Sequence, residues 1–150
     1  MWMQQLPQQG GQTTTCKIPD EIKDQFLKFK TSKDQANHCF VMKINPKSLE
    51  VVVDYTSDNI SIEQIAAELP PSAPRYIAYS YKWEHTDGRV SYPLVFIYYC
   101  PPGINTKLNI LYASTKPIIV EALQVQKLLS VEDPEKMTET WLKEKLDFFK

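Results

Sequence analysis

Glycine is scarce in this chain of 150 residues, with Gly10, Gly11, Gly88 and Gly103 the only four. Neither a G-x-G-x-x-G turn nor a G-x-x-x-x-G-K-[ST] phosphate loop can be assembled from them, which excludes nucleotide-binding enzymes of those two kinds. Cysteine is equally sparse. Cys16, Cys39 and Cys100 are odd in number and widely spaced, with no C-x-x-C, so the sequence offers no local zinc or redox motif and reads as a chain of a reducing compartment. No charge of one sign is in excess either: 17 Lys and Arg against 18 Asp and Glu leave a formal net charge of -1. No global field therefore draws in nucleic acid or an anionic membrane. The longest apolar run, Leu94 to Cys100, falls far short of the ~20 residues needed to span a bilayer. No basic start followed by an apolar stretch marks the first 30 residues, and the expectation is a cytosolic protein.

What is present is ordinary globular material: 43% hydrophobic, 11% aromatic and 23% charged residues, near the averages for a folded domain. The opening, Met1 to Thr15, is rich in Gln, Thr and Gly without usable periodicity, and reads as a flexible tail ahead of one domain over 16–150. Ile22, Phe26 and Phe29 fall on one helical face after Pro19, which predicts a helix to about Lys30. Two strands follow, Cys39 to Ile44 and Leu49 to Tyr55, turning through Asn45-Pro46-Lys47-Ser48. Ser61 and Gln64 have the spacing of a capping box, opening a short helix that must end at Pro70-Pro71.

A second hairpin is expected from Arg75 to Trp83 and from Ser91 to Cys100, turning at Asp87-Gly88. Leu94 to Cys100 is apolar on both alternating faces and belongs in the centre of a covered sheet. Beyond Pro101-Pro102-Gly103, the sequence predicts a strand at Leu108 to Ala113. Ser114 is then the N-cap of a helix to about Leu123, with Pro117 in its first turn. A strand near Val125 to Val131 and a helix from Pro134 to Phe149 complete the chain. Helices on both faces of one mixed sheet give a three-layer α+β fold.

Catalytic candidates are few. His38 and Cys39 are neighbours in a predicted strand and point to opposite faces, so they cannot act as a base and thiol pair. His38 is expected to face solvent and Cys39 to fill core. The carboxylates Glu84 with Asp87, and Asp133 with Glu135, sit in loops or helix starts, where solvation or capping is their ordinary role. Tyr76, Tyr79, Tyr81, Tyr92, Tyr98 and Tyr99 have too few basic neighbours for base stacking and are expected to pack the sheet. No catalytic residue, metal site or cofactor is expected, and a binding module remains.

The stretch Arg75-Tyr76-Ile77-Ala78-Tyr79-Ser80-Tyr81-Lys82, with His85 and Asp87-Gly88-Arg89-Val90-Ser91-Tyr92-Pro93-Leu94, closely resembles the glia maturation factors, a branch of the actin-depolymerising-factor homology family. Further matches are Met42-Lys43-Ile44, Leu111-Tyr112-Ala113-Ser114, Trp141-Leu142, Glu144-Lys145-Leu146 and Phe148-Phe149. The likeness covers Cys16 to Lys150. It implies a central mixed sheet between helices. It also implies a non-enzymatic protein of the cytoplasmic, cortical actin cytoskeleton that binds the branch-nucleating actin-related-protein complex, blocks new branches and dissociates old ones. Cofilin-like relatives instead bind and sever actin.

The resemblance also assigns surfaces. Cofilins carry a lysine run on the helix after Tyr112-Ala113-Ser114, where this chain has Val120-Glu121-Ala122 and keeps only Lys116. Weak or absent binding to actin monomer is the implication. Lys28, Lys30 and Lys33 match a basic cluster at the end of the first helix, although lysines there also complement the helix dipole. Glu84, Asp87, Arg89, Glu139 and Lys143 match a second surface, the last two at the spacing of a helix-surface ion pair. The protein is expected to act as a monomer.

Overall fold

The structure, a computed structural model, describes residues 16–32 and 37–149. The expected tail, with Thr13 to Thr15, and Lys33 lie outside the described residues. Helix α1 (Asp20–Lys30) begins after Pro19 and buries Ile22 and Phe26. Strands β1 (His38–Asn45) and β2 (Glu50–Asp58) pair antiparallel, and the register shifts between Val41 and Met42. The connecting turn is held by Asn45 Oδ1, which accepts from the Lys47 amide at 2.9 Å. Helix α2 (Ile62–Ala67) opens on the expected capping box: Ser61 Oγ accepts from Gln64 N, and the Gln64 side chain accepts from Ser61 N.

The second hairpin is broken rather than continuous. It consists of β3 (Arg75–Ser80), a small pair β4 (Trp83–Glu84) and β5 (Val90–Ser91), and β6 (Leu94–Tyr99). Between the two parts Tyr81 N donates to Pro93 O at 3.0 Å. Pro93 has no N–H to return, so the ladder cannot run through it. The tip turns at Gly88, whose φ of 93° suits a residue without Cβ.

A single long helix, α3 (Thr106–Leu123), replaces the expected strand at Leu108 to Ala113. Asn105 rather than Ser114 is its N-cap, accepting from Leu108 N at 3.2 Å. Pro117 therefore lies inside the helix, where it cannot donate to the Ala113 carbonyl four residues earlier. The buried positions Tyr112, Thr115, Ile119 and Leu123 recur every three or four residues, so packing of this stripe outweighs the local proline signal. Strand β7 (Lys127–Val131), one 3-10 turn at Pro134–Lys136, and α4 (Glu139–Asp147) finish the chain.

The main sheet has the order β2-β1-β3-β6-β7, with β6 and β7 parallel and the other pairs antiparallel. Helices α1 and α3 cover one face over a core of Phe26, Phe40, Met42, Tyr76, Phe96 and Ile119. Helices α2 and α4 cover the other over Ile65, Ile77, Tyr79, Ile97, Leu142 and Leu146. This is the expected three-layer arrangement. Most of the tyrosines named above serve it: Tyr76, Tyr79, Tyr81 and Tyr99 are buried, whereas Tyr92 is exposed.

One expectation fails at His38, which is 5% exposed rather than solvent-facing. The sheet is covered on both faces, so alternation along β1 moves a side chain from one core to the other and not into water. The His38 ring meets Phe29 edge-on, 4.9 Å between centroids. Cys39 is buried in the opposite core, as expected.

Candidate partner-binding surface

Helix α3 is fixed to the sheet from three directions. Tyr112 Oη accepts from Ile44 N at 3.0 Å, Tyr76 Oη donates to the Tyr112 carbonyl at 2.6 Å, and Thr115 Oγ1 accepts from Cys16 N at 3.2 Å. Buried hydrogen bonds of this kind hold a helix in one rotational setting, because each group left unpaired costs about 1–3 kcal/mol. The setting leaves an outward ridge of Lys107, Ile110, Pro117 and Glu121, all exposed and spaced by helical turns, with Ile118 beside it. Ile110 is 49% exposed. Of the three positions where a cofilin-like basic run would fall, only Glu121 is exposed. Val120 and Ala122 are half-buried, and Val120 packs on the α1–α3 core.

The lysines do not form one free patch. Lys30 Nζ crosses from the end of α1 to the carbonyl of Gln124 at 3.3 Å. Gln124 caps α3 in the left-handed conformation, φ 55°, so this cation sits at the negative end of a second helix. Lys116 is half-buried and lies over the ring of Tyr98, 5.3 Å from its centroid, a geometry in which the ring face attracts the charge. Lys28 is exposed and stands next to Leu27, itself 58% exposed.

The second group is divided between the β4–β5 tip and α4. In the β4–β5 tip Arg89 Nε pairs with Asp87 Oδ2 at 2.8 Å, and Asp87 Oδ1 accepts from Arg89 N at 3.0 Å. These bonds hold the Asp87 carboxyl below its ordinary range. Glu84 stands 3.9 Å from Lys82 Nζ. Below the tip, the ring of His85 stacks on Trp83 at 4.4 Å, and its Nε2 lies 2.8 Å from Ser91 Oγ. Glu139 reaches toward this region from α4: Tyr81 Oη donates to Glu139 Oε2 at 2.5 Å. Burial, with that hydrogen bond added, pushes the Tyr81 hydroxyl well above its usual range. Among the described ion pairs none joins Glu139 to Lys143, which is half-buried on α4.

The remaining candidates have structural roles. Burial pushes the Cys39 thiol up to about 11, so at neutral pH it carries essentially no thiolate. Asp133 caps the 3-10 turn by accepting from Glu135 N at 2.9 Å. Among the described residues no group of three or more His, Cys, Asp or Glu side chains could hold a metal ion. No helix of the described residues is long and apolar enough to cross a membrane.

Ile110 escapes the sequence reading, as do the anchoring bonds of Tyr112 and Tyr81. The first two are hidden by the strand expected over 108–113, although Tyr112, Thr115, Ile119 and Leu123 already mark a helical stripe that leaves Ile110 on the outside. The bond from Tyr81 to Glu139 joins residues 58 apart and leaves no local trace.

The description "Cofilin/tropomyosin-type actin-binding protein" matches residues 15–147. Human glia maturation factor beta is 38% identical over 134 residues, spanning 89% of this chain and 94% of the relative. The glia maturation factor of Drosophila melanogaster is 34% identical, over 87% of this chain and 95% of the relative. A solution structure of glia maturation factor from Caenorhabditis elegans superposes with a TM-score of 0.76 at 36% identity, covering 88% of this chain and 96% of that one. The superposition and these sequence matches lead to one conclusion: the chain belongs to the actin-depolymerising-factor homology family of actin-binding proteins, in its glia maturation factor branch.

Proposed function

We propose that residues 16–150 bind the branch-nucleating actin-related-protein complex, suppress new branches and detach existing ones, without catalysis, as a monomer at the cortical actin cytoskeleton. The observation that carries this reading is the outward ridge of α3. It presents Ile110 and Glu121, and its last turn has no basic side chain. An acidic groove on actin is complemented by cations, and a ridge that replaces them with one carboxylate disfavours actin monomer on both counts. Lys30 reaches the C-terminal end of α3 and Lys116 lies on α3 itself, whereas Lys28 borders β2 near Val53 and Thr56; these three, with Lys33, are the proposed cations of the first contact. Glu84, Asp87, Arg89, Glu139 and Lys143 form the second contact, its backbone shaped by the Tyr81–Glu139 bond.

Time-lapse fluorescence of branched actin networks tests the proposal directly. The purified protein should lower branch density and release daughter filaments while mother filaments stay whole. Fragmentation of mother filaments at the same protein concentration would instead establish the cofilin-like activity.

A further inference from the structure

Strand β7 is the last of the main sheet, and among the described residues no strand pairs with its outer edge. Cys100 N donates to Val131 O at 3.0 Å, so Val131 turns its backbone groups toward β6. In a parallel pair this direction alternates along the strand. Lys127 and Leu129 therefore also face β6, whereas Leu128 and Ser130 each point an N–H and a C=O outward. None of the described hydrogen bonds reaches those outward groups. An edge of this kind is a template for a further strand.

The same edge is surrounded by cations. A hollow of about 590 Å³ at its C-terminal end is lined by Tyr98, Lys116 and Ser130 from the α3 side of the sheet and by Lys136, Trp141 and Lys145 from the α4 side. Because its walls come from both faces, the hollow wraps around the edge of β7 at residues 130–132. Glu132 is its one carboxylate. Lys127 adds a further cation on the α4 side, since it lies two residues from Leu129 of that core. None of Lys116, Lys127, Lys136 and Lys145 belongs to a described ion pair. A second copy of this edge would set its own lysines against these, and like charges opposed across a strand pair repel. An anionic surface would engage the lysines but would offer no partner chain to the N–H and C=O of Leu128 and Ser130.

We propose that β7 receives an extended acidic segment of a partner protein as a sixth strand of the sheet. The main chain of that segment pairs with Leu128 and Ser130. Its carboxylates lie on the α4 side, beside Lys127, Lys136 and Lys145. Its alternate side chains fall on the α3 side, where they are apolar and meet Leu128, itself 39% exposed. In strand addition of this kind the main-chain bonds supply affinity and the side chains on alternate faces supply specificity. The surface shares only Lys116 with the two contacts proposed above and does not depend on them.

The test titrates the full chain into a fluorescein-labelled peptide of alternating Glu and Val, read by anisotropy. Saturable binding is expected, with the amides of Leu128 and Ser130 shifted and protected from solvent exchange; absence of binding overturns the proposal. The Lys136→Glu, Lys145→Glu double variant, checked for an unchanged fold by circular dichroism, should bind about tenfold more weakly at low salt. Equal affinity overturns the role of the lysines. A second arm needs no substitution in the protein: two peptides carry N-methyl groups on every second amide, in opposite phase. An added strand turns only alternate N–H groups to β7, so one phase should lose binding and the other keep it. Equal binding by both reduces the attraction to charge and overturns strand addition. Binding of phosphatidylserine vesicles with none of the peptide assigns the lysines to a membrane surface and overturns the proposal. So does a dimer of the protein alone in sedimentation with the Leu128 and Ser130 amides already protected, which places a second copy on the edge.

Discussion

On the α1–α3 side of the molecule, cations that look available in sequence are held by the fold: Lys30 by the Gln124 carbonyl and Lys116 by the Tyr98 ring. At the β4–β5 tip and on α4, the described ion pairs are close in sequence, Arg89 with Asp87 and Lys82 with Glu84, while Glu139 is bonded to the distant Tyr81. The first surface is therefore an apolar ridge with few free charges, and the second is a polar tip on an aromatic base of Trp83 and His85. A charge counted in sequence is thus not a charge presented to a partner. What a surface offers depends on which of its ions the backbone ends and rings behind it have already engaged.

Substitutions can break that contrast. The largest effect is expected at Ile110. Replacing it with Asp places a carboxylate on the apolar ridge and should weaken binding to the branch complex by about 2 kcal/mol or more, the scale of a central interface residue. The thermal midpoint should stay put because the side chain is half in water already. Titration of the complex with the folded variant checks this, and unchanged affinity would remove the ridge from the interface.

Next is Tyr81→Phe, which deletes the donor to Glu139. A stability loss of about 1 kcal/mol is expected, measured by denaturant unfolding. The affinity loss on the α4 side should exceed any on the α3 side.

Lys28 and Lys30 sharpen the comparison within one helix. Lys30→Glu should lower stability by about 0.3–1 kcal/mol, since it puts a like charge at the C-terminal end of α3. Lys28 faces only the end of α1, so Lys28→Glu should cost less stability than Lys30→Glu, about a few tenths of a kcal/mol, and should reduce the association rate at low salt. If the two variants behave identically, the bond from Lys30 to Gln124 has no energetic role.

The smallest effect concerns Asp87. Its folded carboxyl is lowered, by hydrogen bonds from Arg89. Any stabilisation is thus present above the ordinary carboxylate range and lost as pH falls through the lowered value. The group is fully exposed, so the tip should loosen locally below about pH 4, visible in amide shifts of Gly88 and Arg89. The global unfolding midpoint should not move on Asp87→Asn.

Much of the fold was legible because its signals are local. The capping box at Ser61 and Gln64, the turn at Asn45 and the positive φ at Gly88 are each settled within a few residues. Leu94 to Cys100 declared a covered strand by being apolar on both faces. The misreadings arose where distant packing overrides a local sign. Pro117 suggested a helix start, yet Tyr112, Thr115 and Ile119 carry the helix through it, anchored by Tyr76 and Ile44. His38 was assigned to water by alternation, which fails in a sheet with two cores. For the surfaces, sequence supplied the residues but not their engagement, because Lys30 and Gln124 are 94 positions apart.

The central claim is that the α3 ridge discriminates between actin and the actin-related complex. Parallel titrations of labelled actin monomer and of labelled branch complex, against the same protein and its Glu121→Lys variant, test it most directly. Tight binding to the complex is expected, with actin bound weakly or not at all and gaining affinity in the variant. Sub-micromolar binding of actin monomer by the unsubstituted protein would contradict the claim.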